Sequence, residues 1–139
     1  MMNIEELEQY IQNNLFSHYK KFKLTGIFFE NDEQYNKDGV YISSCNDKYN
    51  IIYVERGKEK KHITTKEENV VLWYVLDSLV FDIAVEFAVK NSEKGRDFRR
   101  KYFKKELEIF AEFGKDFEQK KKEEICKILE KNPYNDTMN

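Results

Sequence analysis

The chain has 139 residues and a formal net charge of −2, from 24 Lys and Arg against 26 Asp and Glu. This length suits one domain, and neither half has the charge excess of a nucleic-acid-binding face or an acidic tail. An aromatic content of 15% excludes a disordered chain. Met1 to Leu15 lacks the apolar core of a signal peptide, so we expect a cytoplasmic protein whose Cys45 and Cys126 stay reduced.

An amphipathic pattern predicts a first helix that begins after Asn3 and ends near Gly26. Asn3 can act as its N-cap, with Glu6 at the third helical position. The apolar residues are spaced by three and four, as in a single buried stripe: Ile4, Leu7, Ile11, Leu15, Tyr19 and Phe22. His18 lies on the same side, where a packed histidine is expected more often than a metal ligand.

Segments rich in Val, Ile and Tyr come next, and they predict strands at residues 24–29, 40–44, 49–55 and 59–64. Residues 31–39 are a loop by composition, and residues 45–48 suit a hairpin turn. Gly57 can supply the positive φ of a second tight turn. The charged last strand, which contains His62, is typical of an exposed edge. We therefore predict an antiparallel meander of three or four strands.

The stretch from Val70 to Val89 is apolar almost all round, which predicts a long central helix buried in the core. Thr65 and Glu68 have the spacing of a capping box at its start. A membrane span is the alternative. The carboxylates in the stretch argue against it, because each would cost several kcal/mol, on the order of 3, at mid-bilayer.

Two further helices are predicted after a break at residues 91–96. Asp97 is the expected N-cap of the first, Gly114 interrupts the pattern, and the second covers about Asp116 to Lys131. The fold class is α+β: an antiparallel meander packed with a long buried helix and three further helices. We expect one domain over residues 1–139, with an N-terminal helix (1–23), a β-meander (24–64), a helical part (65–132) and a tail (133–139).

Asp82 and Glu86 lie four residues apart on one helical face, where paired carboxylates could bind a metal or act as general acid and base. The chain offers no His on that helix, no glycine-rich phosphate loop and no nucleophile motif. We favour the interpretation that the pair binds Arg or Lys of the next helix or lines a solvated edge. We expect no enzyme activity, no metal and no other cofactor.

The segment 94–105 is basic, with aromatic residues interleaved, and such a pattern can bind a nucleic-acid backbone. Its aromatic residues have core spacing, however, and acidic residues dilute its charge. We favour a solvated, partly salt-bridged face that contains Arg99 and Arg100.

Glu55, Arg56 and Gly57 end a predicted strand. Only Gly57 is needed for the turn, so Glu55 and Arg56 have some other use. Arg56 either folds back onto a carboxylate such as Asp77 or Asp82, which we favour, or presents its charge to a partner.

Several short motifs occur in one order between Tyr49 and Phe113. They are Tyr-x-x-x-Tyr-Val-Glu-Arg-Gly at residues 49–57, Thr64-Thr65, the apolar helix with Ala84 and Glu86, Gly95 to Arg100, and Phe103 with Leu107. In this combination the chain resembles the bacterial immunity protein 63 family of polymorphic-toxin systems. It departs from the family pattern at Glu106, where a Gln is expected, and at Phe117, where a Trp is expected.

The resemblance implies a small protein that binds a cognate toxin C-terminal domain and blocks it. If that toxin is basic, acidic loops are the natural contact surface. The candidate partner-binding residues lie in the loop and hairpin turn that we expect at one end of the meander: Glu30, Asp32, Glu33, Tyr35, Asp38 and Asp47.

Three functions therefore stay open. A toxin-neutralising binding protein comes first, a nucleic-acid-binding or regulatory module that uses residues 94–105 comes second, and an enzyme built on Asp82 and Glu86 comes last. For the first, we expect a monomer or weak homodimer without membrane contact.

Overall fold

A computed structural model describes residues 1–29 and 35–137 of the chain. These residues group into two compact units, Met1–Leu79 and Val80–Asn139. One helix continues from the first unit into the second. The expectation of a single domain over residues 1–139 stays a prediction.

In the first unit, helix α1 spans Ile4–His18. Asn3 is its N-cap, as predicted, and the two residues form a capping box: the Asn3 side chain accepts from the Glu6 amide at 2.8 Å, and the Glu6 carboxylate accepts from the Asn3 amide at 3.1 Å. The helix ends earlier than predicted, because the backbone is extended at Tyr19. The ring centroids of Tyr19 and Phe22 lie 4.9 Å apart. His18 is exposed at this end, so its predicted packed position is wrong.

The sheet has four strands in the order of the sequence: β1 Ile27–Phe29, β2 Gly39–Cys45, β3 Lys48–Glu55 and β4 Lys58–Thr65. The pairs β2–β3 and β3–β4 are antiparallel, as predicted, but β1 runs parallel to β2. The sheet is therefore mixed, and the prediction of a purely antiparallel meander is wrong. A tight turn cannot join parallel strands, and residues 30–38 separate β1 from β2 in the sequence.

Backbone conformation at three places, the two hairpin turns and the start of β2, determines how the strands are connected. Asn46 and Asp47 both have positive φ in the β2–β3 turn, and Arg56 and Gly57 both have positive φ in the β3–β4 turn. At the start of β2, Gly39 has φ +150° and its neighbour Val40 donates to the Gly26 carbonyl at 2.8 Å. A Cβ at residue 39 would clash with that carbonyl, so β1 and β2 approach through a position that requires glycine.

Helix α2, Glu68–Lys90, covers the predicted central stretch and begins after Thr65, whose hydroxyl accepts from the Glu67 amide at 3.1 Å. Its first half is buried on nearly all sides, as predicted, and supplies much of the core of the first unit: Val71, Leu72, Trp73, Val75, Leu76 and Leu79. The sheet contributes Ile42, Tyr49 and Ile51 to the buried residues of this unit.

The second half of α2 belongs to the second unit, and it is not buried all round. Val80, Ala84 and Ala88 are buried at helical spacing, whereas 54% of Phe81 and 61% of Val89 are exposed. The prediction of a fully buried central helix therefore fails here, because this half buries only one stripe.

Two further helices complete the second unit: α3, Phe98–Ala111, and α4, Lys115–Lys131. Asp97 is the N-cap of α3, as predicted, and accepts from the Arg99 amide at 2.9 Å. Phe103, Ile109 and Phe110 of α3 are buried. In the described ranges, no helix combines the length and the apolar character needed to cross a membrane. Cys45 and Cys126 are exposed, free thiols.

Candidate functional site

The β3–β4 turn is held against the segment before β2 by one hydrogen bond. The backbone amide of Arg56 donates to Asp38 Oδ1 at 2.8 Å. A residue with a side chain rarely adopts the φ of +53° found at Arg56, so the turn is constrained on both sides of the bond. The Arg56 side chain is exposed and stands on a hydrogen-bonded turn.

Tyr35 makes further contacts between the segment before β2 and the β3–β4 hairpin. Its hydroxyl donates to Glu59 Oε1 at 2.9 Å, and its ring meets the Tyr41 ring edge-on at 4.9 Å. The Tyr41 hydroxyl in turn donates to the Lys37 carbonyl at 3.0 Å. We call the group of Tyr35, Asp38, Arg56 and Glu59 the turn surface.

Arg56 is exposed, and within the described residues of the first unit its side chain forms no ion pair. This exposure favours the second interpretation, in which Arg56 presents its charge to a partner, over a fold-back onto Asp77 or Asp82, and both stay predictions. Glu55 beside Arg56 is also exposed.

An open groove of about 410 Å³ lies on the sheet next to this turn, and Glu55, Lys61 and Ser78 are among its lining residues. Lys61 Nζ lies 5.6 Å from the Tyr53 ring centroid and 5.3 Å from that of Tyr74. Burial, with a smaller contribution from Asp77, raises the pKa of Tyr53 and keeps its hydroxyl neutral. The groove offers cationic and aromatic contacts to a partner.

The structure separates the predicted acidic residues. Tyr35 and Asp38 precede β2, whereas Asp47 lies in the turn that follows it. Because β2 has seven residues, its two ends are roughly 20 Å apart. The expectation that they share one end of the sheet is wrong. Glu30, Asp32 and Glu33 lie outside the described residues.

Asp82 and Glu86 lie on the solvated side of α2. Glu86 Oε1 is 2.6 Å from Lys90 Nζ in the same helix, with both side chains about two-thirds exposed. Both residues are exposed, as the favoured interpretation of a solvated edge expects, and Lys90 of the same helix is one partner of Glu86. Among the residues that the structure describes, no cluster of His, Cys, Asp and Glu could hold a metal ion.

Arg99 and Arg100 bind the C-terminal tail to the start of α3. Arg99 donates to the carbonyls of Asn132 and Pro133, both at 2.8 Å. Arg100 pairs with Asp136 at 2.8 Å and lies 4.1 Å from the Tyr134 ring centroid. The favoured interpretation of a partly salt-bridged face is confirmed for these two arginines.

Asp97 and Asp136 supply the carboxylates that bind these two arginines. Asp97 accepts from the Asn135 amide at 2.7 Å, and Asp136 accepts from the Asp97 amide at 2.7 Å. The hydrogen bond from the Arg99 side chain, followed by that from the Asn135 amide, lowers the pKa of Asp97. The Arg100 side chain has the same effect on the pKa of Asp136. We call these residues, with Tyr134, the tail clasp.

The sequence did not predict the part of the tail clasp that follows Pro133. Asp136 and Tyr134 follow Pro133 in a polar segment that has no periodic pattern. An indirect signal is the pair of adjacent arginines in the first turn of α3, because the Asp97 N-cap pairs with Arg99 and leaves Arg100 to find another carboxylate.

In a comparison with protein families, the model of immunity protein 63 matches residues 46–127 of this chain. Comparison with curated proteins and with solved structures finds no match. The matched region starts at the β2–β3 turn and reaches into α4, so it contains the Arg56 turn, α2, and the α3 end of the tail clasp. Since the match covers more than half of the sequence, the chain belongs to the immunity protein 63 family.

Proposed function

We propose that the chain is a bacterial immunity protein that binds the C-terminal domain of a cognate polymorphic toxin and neutralises it by direct protein–protein contact. Membership of the immunity protein 63 family is the observation that carries this proposal. The protein would act in the cytoplasm of the producing cell, as a monomer or weak homodimer.

The form of the turn surface supports a role in binding. Tyr35 and Asp38 are fixed by hydrogen bonds to Glu59 and to the Arg56 amide, so little conformational freedom is lost when a partner binds them. Tyr and Arg are also the residues most often found to dominate binding energy in interfaces. We propose that this surface, together with Glu30, Asp32 and Glu33, contacts a basic region of the toxin.

Co-expression tests the function. The partner is the C-terminal toxin domain encoded beside the gene for this chain. Cells that produce this domain should survive when the chain is co-produced and die when it is replaced by an unrelated protein. Death of the cells at full expression of the folded chain would contradict the function.

Charge reversal tests the surface. Changing Asp32, Glu33 and Asp38 together to Lys should weaken toxin binding by about 30-fold or more, because interface anchors are worth about 2 kcal/mol or more. Asp47→Lys is the matched control at the other end of β2 and should change the dissociation constant by less than about threefold. Unchanged binding by the triple variant would remove the turn surface from the interface.

A further inference from the structure

The end of α2 and the start of α3 form a groove of about 280 Å³ in the second unit. Its apolar part is made by Ala88, which is buried, and by Phe98, which is 43% exposed. A single exposed Phe is ordinary on a protein surface, but a contiguous exposed apolar patch marks an interaction site.

The exposed apolar surface extends beyond the groove. Tyr102 stacks on Phe98 with ring centroids 6.1 Å apart, and Phe81 of α2 meets Tyr102 edge-on, also at 6.1 Å. Phe81 is 54% exposed, so three aromatic rings in contact reach the surface from two helices. Rigid aromatic rings of this kind are common anchors in protein interfaces.

The rim of the groove is cationic. Four of its lining residues are basic and two are acidic: Arg96, Arg100, Lys101 and Lys104, against Glu93 and Asp97. Arg100 forms an ion pair with Asp136 at 2.8 Å, and Lys101 forms one with Glu93 at 3.0 Å. The other two, Arg96 and Lys104, are exposed and form no ion pair with any residue in the described ranges.

We propose that this groove binds an acidic segment of the toxin domain that carries an apolar side chain. The apolar side chain enters between Ala88 and Phe98, and the flanking carboxylates pair with Arg96 and Lys104. The charge of the rim selects an acidic partner, while the aromatic rings select a protein segment with a bulky apolar group. The groove is thus a second contact surface, in addition to the turn surface, and the inference rests on the proposed function.

The test uses the full chain and the purified C-terminal toxin domain encoded beside it. The double change Arg96→Glu with Lys104→Glu should raise the dissociation constant by about 100-fold or more in calorimetric titration. Phe98→Ser should raise it by about tenfold or more. The control is Lys115→Glu with Lys127→Glu, which reverses two exposed lysines of α4 and should leave binding within threefold. Circular dichroism verifies that each variant is folded.

The possible outcomes distinguish a failure of the groove proposal from a failure of the proposed function. If the wild-type chain binds, and the variant with Arg96 and Lys104 reversed has a dissociation constant within threefold of the wild-type value, the groove proposal alone is overturned. Absence of wild-type binding overturns both the function and the groove. A third arm uses a short double-stranded RNA or DNA. Salt-sensitive nucleic-acid binding that the same reversal abolishes, with toxin binding unaffected, would make the groove a nucleic-acid site and overturn the proposal.

Discussion

Lys121 of α4 and Glu106 of α3 form an ion pair whose two side chains are almost completely buried, with Nζ 3.8 Å from Oε2. Lys121 also pairs with Glu124 at 3.1 Å and lies 4.7 Å from the Phe110 ring centroid. Lys121 is 2% exposed and Glu106 is 5% exposed. Such a pair tolerates joint replacement by apolar residues better than loss of one partner.

The ion pair gives the first prediction. Lys121→Met should lower the free energy of unfolding by about 3–5 kcal/mol, because the buried Glu106 carboxylate loses its ion pair with Lys121. The double variant Lys121→Met with Glu106→Leu should recover most of that loss. Urea unfolding followed by circular dichroism measures both. The control Lys122→Met changes an exposed neighbour and should cost less than about 1 kcal/mol. A Lys121→Met variant as stable as wild type would contradict the prediction.

Acid should loosen the tail clasp. The folded-state pKa values of Asp97 and Asp136 lie below the ordinary value of 3.8, so their contacts stabilise the fold above that pH. This contribution is lost as the pH falls from 3.8 through the lower folded-state values. The melting temperature should therefore drop in this acidic range. Asp136→Asn should flatten the drop, whereas Glu130→Gln on exposed α4 should not. Equal pH profiles for wild type and Asp136→Asn would be inconsistent with the clasp.

Removal of the tail tests the same contacts at neutral pH. Deletion of residues 133–139 takes away the Pro133 carbonyl, the Asn135 amide and the Tyr134 ring that contact Asp97, Arg99 and Arg100. We expect a melting temperature lower by about 5 °C or more. Faster amide hydrogen exchange should appear in the first turn of α3. Deletion of residues 138–139 alone is the control. Unchanged exchange after the longer deletion would refute the role of the tail.

Glycine substitutions test the approach of β1 to β2. Gly39→Ala should cost about 3 kcal/mol or more, because its Cβ would clash with the Gly26 carbonyl and lie 2.9 Å from Phe28 Cε2 at a φ of +150°. Gly26→Ala meets open space and should cost only about 1 kcal/mol, for its positive φ. Chemical unfolding distinguishes the two, and equal costs would contradict the close approach.

Local signals in the sequence predicted the parts of the fold that depend on nearby residues. The structure confirms the N-caps predicted at Asn3 and Asp97 and the positive φ predicted at Gly57. The direction of β1 could not be predicted, because a strand of three residues has no pattern that distinguishes parallel from antiparallel pairing. The burial of Lys121 had one signal: it stands between Phe117 and Ile125 at helical spacing, in the apolar stripe of α4.

The candidate site was less predictable than the fold. Arg56 could be assigned to a turn, but its contact with Asp38 joins residues 18 positions apart, which local patterns do not encode. Asp47 was grouped with Asp38 by composition, although the antiparallel register places them at opposite ends of β2. The groove near Phe98 combines residues from the end of α2, the segment after it and the start of α3, which local patterns do not bring together.

Titration of toxin activity tests the central claim most directly. The purified C-terminal toxin domain is assayed on its own substrate while the purified chain is added in increasing amounts. Neutralisation by contact predicts that activity falls in proportion to the added chain and disappears near one equivalent, with both proteins recovered intact as a complex. Full toxin activity in the presence of excess folded chain would contradict the claim, as would a loss of activity caused by small, turnover-level amounts of the chain.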